Sequence, residues 1–353
     1  MGSVRKLRVC FGGLAVAAAF ATLAPHTRAQ EPFSLPISLF ERYLDALRQQ
    51  TGIPGLSGAL LQEGKLVWDG GLGYQDTEGL VRATADTPYP LLDVSQTISS
   101  TILLEQCVEQ RALDLSDSVR RWNSSFSESA TVRQVLQHTS SGGFQYDANR
   151  FAVLTTVIEQ CAHDDFPALV ADDIFSRFGM TNSVPGHDLS DSSPSRRFFS
   201  SGDYSRYRSV LGRVATAYKV DGNRRASKSD YSRPSLTAAT GLVSTVRDLA
   251  RFDTALDAGA LIDSDTRSLA WQSSGSTPTG LGWFVHSHNG ERVIWHSGLA
   301  RDSYSALYIK VPGRKLSLIL LANSDGLAAP YSLSNGDLSA SLFAQLFLKL
   351  FVS

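Results

Sequence analysis

Cysteine is scarce, with three in 353 residues, and two of them, Cys107 and Cys161, lie far apart inside helical patterns. That excludes a small disulfide-framed fold and a Cys-based zinc motif, and it leaves those two as either a single pair or two buried thiols. Charge of one sign is also lacking. Thirty-three basic against 34 acidic side chains leave a net charge of −1, so neither nucleic acid nor an anionic membrane is an expected partner. The histidines His138, His163, His187, His286, His288 and His296 are scattered. Even His286 and His288, two apart beside a glycine turn, read as exposed strand-end residues rather than metal ligands. No cofactor or metal is expected.

Long apolar runs are absent beyond the first thirty residues. Arg5, Lys6 and Arg8 precede an Ala-rich apolar run from Phe11 to Ala24, and Thr27 and Ala29 supply small residues before Gln30. That order is a secretory signal peptide, and the run is shorter than the roughly 20 apolar residues a membrane span requires. Cys10 follows Arg8-Val9, which does not look like a lipid-attachment site. The expectation is cleavage after residue 29, export to the periplasm or beyond, no stable span afterwards, and one folded domain over 30–353.

What remains alternates between helical and strand patterns. Leu39, Phe40, Tyr43, Leu44 and Leu47 predict a first helix stopped at Gly52. Leu56–Gln62 and Lys65–Asp69 predict a hairpin around Glu63-Gly64, and the glycine-rich stretch Gly70–Thr87 reads as a loop. Ser95–Gln110, Val132–Gln137, Phe151–Gln160 and a helix capped near Ser244-Thr245 follow. Residues 186–235, rich in Ser, Arg, Asp and Gly, read as irregular, the kind of run that rims a cleft. The last third predicts strands at Gly282–Val285, Arg292–Trp295, Ser305–Val311 and Leu316–Leu321, with turns at Asn289-Gly290 and Pro312-Gly313. Leu338, Leu342, Leu346 and Leu350 predict a final helix lying on the sheet. The order implies an α+β architecture: one antiparallel sheet, covered by helices, with a helical lobe inserted.

Short segments then recur in a known order: Ile53-Pro54-Gly55-Leu56-Ser57, Gly71-Leu72-Gly73-Tyr74, Leu113-Asp114-Leu115 and Leu136-Gln137-His138-Thr139-Ser140. Later come Phe178-Gly179-Met180-Thr181, Gly241-Leu242-Val243-Ser244-Thr245 with Asp248-Leu249, Gly280-Leu281-Gly282-Trp283, and His296-Ser297-Gly298. Together they resemble the serine β-lactamase and penicillin-binding-protein superfamily, above all the branch of class C β-lactamases, D-alanyl-D-alanine carboxypeptidases and related esterases. The resemblance implies the β-lactamase/transpeptidase-like fold. It also implies a four-part site: a Ser-x-x-Lys pair on the central helix, a Tyr-x-Asn or Ser-x-Asn loop, and a Lys/His-Thr/Ser-Gly strand segment.

Against that pattern the chain departs at the chemistry. Asp93 stands in the serine's place and Gln96 in the lysine's. Shifting the register pairs Val94 with Thr97 or Ser95 with Ile98, and no lysine occurs between Lys65 and Lys219. A serine without an adjacent base is a poor nucleophile. Asp93 reads first as a helix-capping carboxylate held ionised by the helix end, and Gln96 cannot take up a proton. Tyr146-Asp147-Ala148 occupies the Tyr-x-Asn place. Tyr146 is retained, either for a ligand hydrogen bond or as a packed loop aromatic, and Ala148 replaces the asparagine. His296, Ser297 and Gly298 keep the strand segment and are expected to line the cleft, the glycine letting a ligand approach. Asp302 and Ser303 stand where a glycine is usual.

Three functions follow. The first is a pseudoenzyme whose cleft binds a peptide-like or acyl ligand, or a partner protein. The second is a surviving hydrolase with a nucleophile relocated to Ser95, Ser140 or Ser141 and Tyr146 or His296 as base. The third is a non-catalytic interaction protein using residues 186–235.

Overall fold

The computed structural model describes residues 34–188, 194–275, 277–328 and 332–353; the expected signal peptide and Cys10 lie outside the described residues. Helix α1 (Ser34–Thr51) leads into β1 (Gly55–Gln62) and β2 (Lys65–Asp76), then the short β3 (Val81–Arg82). The last third supplies β4 (Phe284–His288), β5 (Glu291–Ala300), β6 (Tyr304–Val311) and β7 (Leu316–Ala322). They form one seven-stranded antiparallel sheet in the order β3-β2-β1-β7-β6-β5-β4. First and last strands meet at its centre, with Leu56 opposite Ala322.

The central strands read as continuous apolar runs because both faces of the sheet are covered. Leu307, Ile309 and Val311 of β6 join a cluster with Phe40 and Leu44 of α1 and Phe347 and Phe351 of the C-terminal helix. Their alternates, Ala306 and Tyr308, join the other cluster with Ile98 and Leu249. The period of two thus divides one strand between two cores. Two of the three expected turns are tight hairpins: Glu63-Gly64 and Asn289-Gly290 each place two consecutive residues at positive φ, as type I′ turns require, whereas Pro312-Gly313 opens a longer link, a single 3-10 turn over Pro312–Arg314.

On the second face lies α2 (Ser95–Leu103), continued by a wider turn over Leu104–Glu109. It shares a core with α3 (Leu154–Ala162) and α5 (Val246–Asp257), while α4 (Ser201–Leu211) packs in a separate cluster with Val184 and Val243. Cys107 and Cys161 are joined as a disulfide, their Cα atoms 5.8 Å apart, which ties the end of the central helix to α3. Thr245 caps α5 by accepting from the Asp248 N–H at 3.1 Å. Beneath the sheet, Lys310 is fully buried and paired with Asp253 at 2.5 Å and Asp257 at 2.9 Å.

Three sequence expectations need correction. Gly70–Thr87 is not one loop, because β2 runs on to Asp76. Its glycines permit close strand contact, since a Cβ at Gly71 would meet the Ala83 backbone at 2.2 Å. Residues 186–235 are not wholly irregular: they contain α4, whose Tyr204, Tyr207 and Val210 turn inward at helical spacing, and a small hairpin of Tyr218–Val220 with Ala226–Lys228. The C-terminal helix, α6 (Leu342–Phe351), buries Phe343, Ala344, Phe347, Leu348 and Phe351 and leaves Leu342 exposed. The phenylalanines, larger than the leucines, choose the buried face.

Candidate functional site

The approach to α2 is a tight turn over Leu92–Val94, with Leu92 held at φ +54°. A branched side chain at positive φ is strained and persists only where its surroundings impose it. Here they do. Gly298 of β5 lies so close that a Cβ on it would meet Leu92 Cβ at 2.6 Å and the Asp93 nitrogen at 3.0 Å. The glycine of His296-Ser297-Gly298 therefore admits the protein's own turn, not the ligand backbone expected from the sequence. The three residues also lie within β5 rather than after it, with His296 opposite Tyr308 and Gly298 opposite Ala306.

Asp93 occupies that turn. The helix cap position is Val94, and no side chain caps it, so the capping role expected for Asp93 is corrected. Its carboxyl packs instead against the site. Burial raises it to about 7, opposed by hydrogen bonds from the Leu299 N–H, the Tyr146 hydroxyl and its own N–H. Desolvation outweighs those donors, so the expectation of a firmly ionised carboxylate is corrected too.

One turn on, Gln96 is fully buried and works in two directions. Its Nε2 donates to the Tyr146 hydroxyl at 2.9 Å, and its Oε1 lies 3.1 Å from His138 Nε2. The Asp147 N–H donates to His138 Nδ1 at 3.2 Å, which leaves the ring proton on Nε2 and makes it the donor to Gln96. The set is a single directed chain from Asp147 through His138, Gln96 and Tyr146 to Asp93. An amide in its middle carries no exchangeable charge, so the chain orients groups without relaying a proton.

Rings hold this chain in place. Tyr146 packs at 4.4 Å on His138 and at 5.8 Å on Phe284, with His296 6.3 Å away. Burial holds the Tyr146 hydroxyl well above its usual range. It also lowers His138 to about 3 and His296 to about 4, so both imidazoles are neutral at neutral pH. His296 Nδ1 donates to the Ser297 carbonyl at 2.9 Å. Asp93, Tyr146, Ser297 and Leu299 enclose, with Ala328 and Ser332–Ser334, a cavity of only about 20 Å³. That is room for about one water.

The structure thus brings together Asp93, Gln96, Tyr146, His296, Ser297 and Gly298. It does not bring in Ala148, which opens a short helix (Ala148–Phe151) and packs against the hydrophobic core. The candidate relocated nucleophiles are unsupported by any base: Ser95 and Ser140 have buried hydroxyls without partners, and Ser141 donates to Gln145 at 3.1 Å. Sequence reasoning missed His138 as a site residue, although it lay in a quoted landmark. It also missed the Leu299 N–H, because a main-chain donor leaves no residue-type signal. His286 and His288 lie half-buried on β4, and among the described residues no group of three or more His, Cys, Asp or Glu could hold a metal ion.

The chain is 23% identical over 312 residues to Protein flp of Staphylococcus aureus, covering 78% of this chain and 60% of that relative; it spans less than two thirds of the relative's length. Its fold superposes on the octameric penicillin-binding protein homologue from Pyrococcus abyssi with a TM-score of 0.71 at 19% identity, covering 89% of this chain and 77% of that one. It matches the D-amino acid amidase from Ochrobactrum anthropi SV3 with a TM-score of 0.71 at 18% identity, over 90% and 98% of the two chains. At such identities the likeness shows the fold. The family model described as Beta-lactamase matches residues 40–336, and on that extent this chain belongs to the beta-lactamase family of serine hydrolases.

Proposed function

We propose that this chain is an exported, non-catalytic member of the family, one that recognises a peptide-like or acyl ligand or a partner protein without covalent turnover. The observation that carries the reading is the directed chain through Asp93 and Gln96. Acyl transfer by this family's route requires a nucleophile beside a proton acceptor. In this chain a carboxyl and an amide hold those positions, and their hydrogen bonds are satisfied by His138, Tyr146 and the Leu299 N–H.

The cavity supports the same reading. Two main-chain N–H groups that converge on one point stabilise the developing oxyanion in acyl transfer. Here the N–H groups of Leu299 and Asp93 serve the Asp93 carboxyl itself, and about 20 Å³ beside it accommodates no acyl group. Recognition would therefore fall on surfaces flanking this niche. Export draws on the basic start, apolar run and small residues ahead of Gln30, and the Cys107–Cys161 pair suits an oxidising compartment.

The test is intact-mass analysis after incubation with a penicillin and with an activated ester, alongside turnover assays with chromogenic esters and cephalosporins. The expected result is an unmodified mass and no turnover above buffer. A stable acyl adduct on any side chain overturns the proposal.

A further inference from the structure

A second cavity, about 730 Å³, shares no lining residue with the Asp93 niche. Its wall comes mainly from the segment 186–235, with Pro90 and Tyr304 completing it. This volume lies within the roughly 300–1,000 Å³ typical of small-molecule sites.

The polar groups in this wall are not satisfied from within. Tyr304 donates to the Ala215 carbonyl at 2.6 Å, and its ring meets the Tyr231 ring edge-on at 4.9 Å, with His187 6.2 Å beyond. The Tyr231 hydroxyl and His187 Nε2 are shielded from water and have no hydrogen-bond partner. Each such orphan is destabilising, and two in one wall mark a place where something else completes the bonding. Arg233 lines the same cavity, and among the described residues its guanidinium makes no ion pair. Its positive charge reaches His187, Tyr231 and Tyr304, although burial outweighs it at the two tyrosines and leaves both hydroxyls raised. Burial, reinforced by that charge, lowers His187 to about 4, so the ring stays neutral.

A guanidinium, a phenol hydroxyl and a neutral imidazole, in the tautomer that carries its proton on Nε2, are donors suited to one anion. The charge count limits which anion. Only one cation lines the cavity, and the Asp230 carboxylate lies in the same lining, which disfavours a dianion. Pro90, Leu211 and Val214 supply an apolar side. From these observations we propose that the cavity binds a small amphipathic monocarboxylate, its carboxylate on Arg233, Tyr231 and His187 and its apolar body against Pro90, Leu211 and Val214. The proposal is independent of whether the Asp93 niche is catalytic.

Calorimetric titration of the purified chain with phenylacetate, phenylacetamide and inorganic phosphate tests it. Phenylacetate is expected to bind saturably at one site, phenylacetamide at least about tenfold more weakly, and phosphate more weakly than phenylacetate. Arg233→Gln, at an exposed position, is expected to weaken phenylacetate about tenfold or more with the unfolding midpoint unchanged, and Tyr231→Phe by a smaller factor. Arg121→Gln, which removes an exposed cation outside the cavity, should leave the affinity unchanged. Equal affinity for acid and amide, preference for phosphate, indifference to Arg233→Gln, or no saturable heat with phenylacetate up to about 10 mM each overturns the proposal, the last because an Arg–carboxylate contact in a sheltered site should exceed that affinity.

Discussion

Replacing Asp93 by asparagine tests whether burial or a helix end governs this side chain. A carboxyl that titrates at about 7 instead of its ordinary 3.8 costs the folded state at most about 4 kcal/mol when ionised. Asp93 retains intermediate solvent exposure, and screening at its open edge reduces the expected cost to about 2 kcal/mol. The sign follows from proton counting. Between the unfolded value near 4 and the folded value near 7, the folded state holds the proton more tightly, so stability falls as pH rises through that window. The cost is absent below it and complete above it. Asparagine keeps the shape and removes the charge. Urea unfolding of parent and Asp93→Asn, compared from about pH 4 to about pH 8, should show the variant gaining about 2 kcal/mol on the parent as pH rises. His138 and His296, neutral when folded, destabilise both proteins alike as pH falls below the ordinary imidazole range, so they cancel. A pH-independent difference, or one that favours the parent at high pH, would show that the ionised carboxylate is stabilised in place and would refute the burial argument.

Tyr146→Phe removes the acceptor of the Gln96 Nε2 bond and one donor to Asp93; it should cost about 1–3 kcal/mol in urea unfolding and move the Asp93 titration further upward. Opening the Cys107–Cys161 bridge, which closes a 54-residue separation, should cost about 4 kcal/mol on chain entropy, read as a lower melting temperature under reductant or in the double alanine variant. Lys310→Met leaves the buried Asp253 and the half-buried Asp257 without their cation; a loss of about 3–5 kcal/mol is expected, partly recovered by adding Asp253→Asn.

The fold was legible because its signals are local and redundant. Glu63-Gly64, Asn289-Gly290 and the Thr245 cap each mark a boundary by backbone chemistry alone, and the order of hairpin, helices and strands fixed the sheet. The misses have physical causes. In β2 the glycines Gly70, Gly71 and Gly73 look like a loop, yet Gly71 is small because the Ala83 backbone presses on it. Helix α4 hides in a polar composition whose buried Tyr204, Tyr207 and Val210 are only three residues in eleven. At the site, residue types identified Asp93, Gln96 and Tyr146, but not that Asp93 would meet the Leu299 N–H. That contact depends on Gly298 passing Leu92, a tertiary juxtaposition without a one-dimensional trace.

The site's departure from its family involves a partner beyond the two substituted positions. Gln96 must accept from His138 and donate to Tyr146 at the same time, a combination an amide provides and an ammonium cannot, since lysine has three donors and no acceptor. His138 cannot simply turn its other nitrogen toward residue 96, because Nδ1 already accepts the Asp147 N–H, and burial keeps the ring from escaping through protonation. Restoring serine and lysine with Asp93→Ser and Gln96→Lys therefore sets the His138 Nε2–H against a cation. The double variant is expected to lose about 1–3 kcal/mol and to remain without ester or cephalosporin turnover. Adding a hydrogen-bond acceptor in place of His138, as in His138→Gln, should recover part of the stability. Turnover by the double variant alone would mean that the histidine reorients freely, and that Asp93 and Gln96 are the whole of the difference.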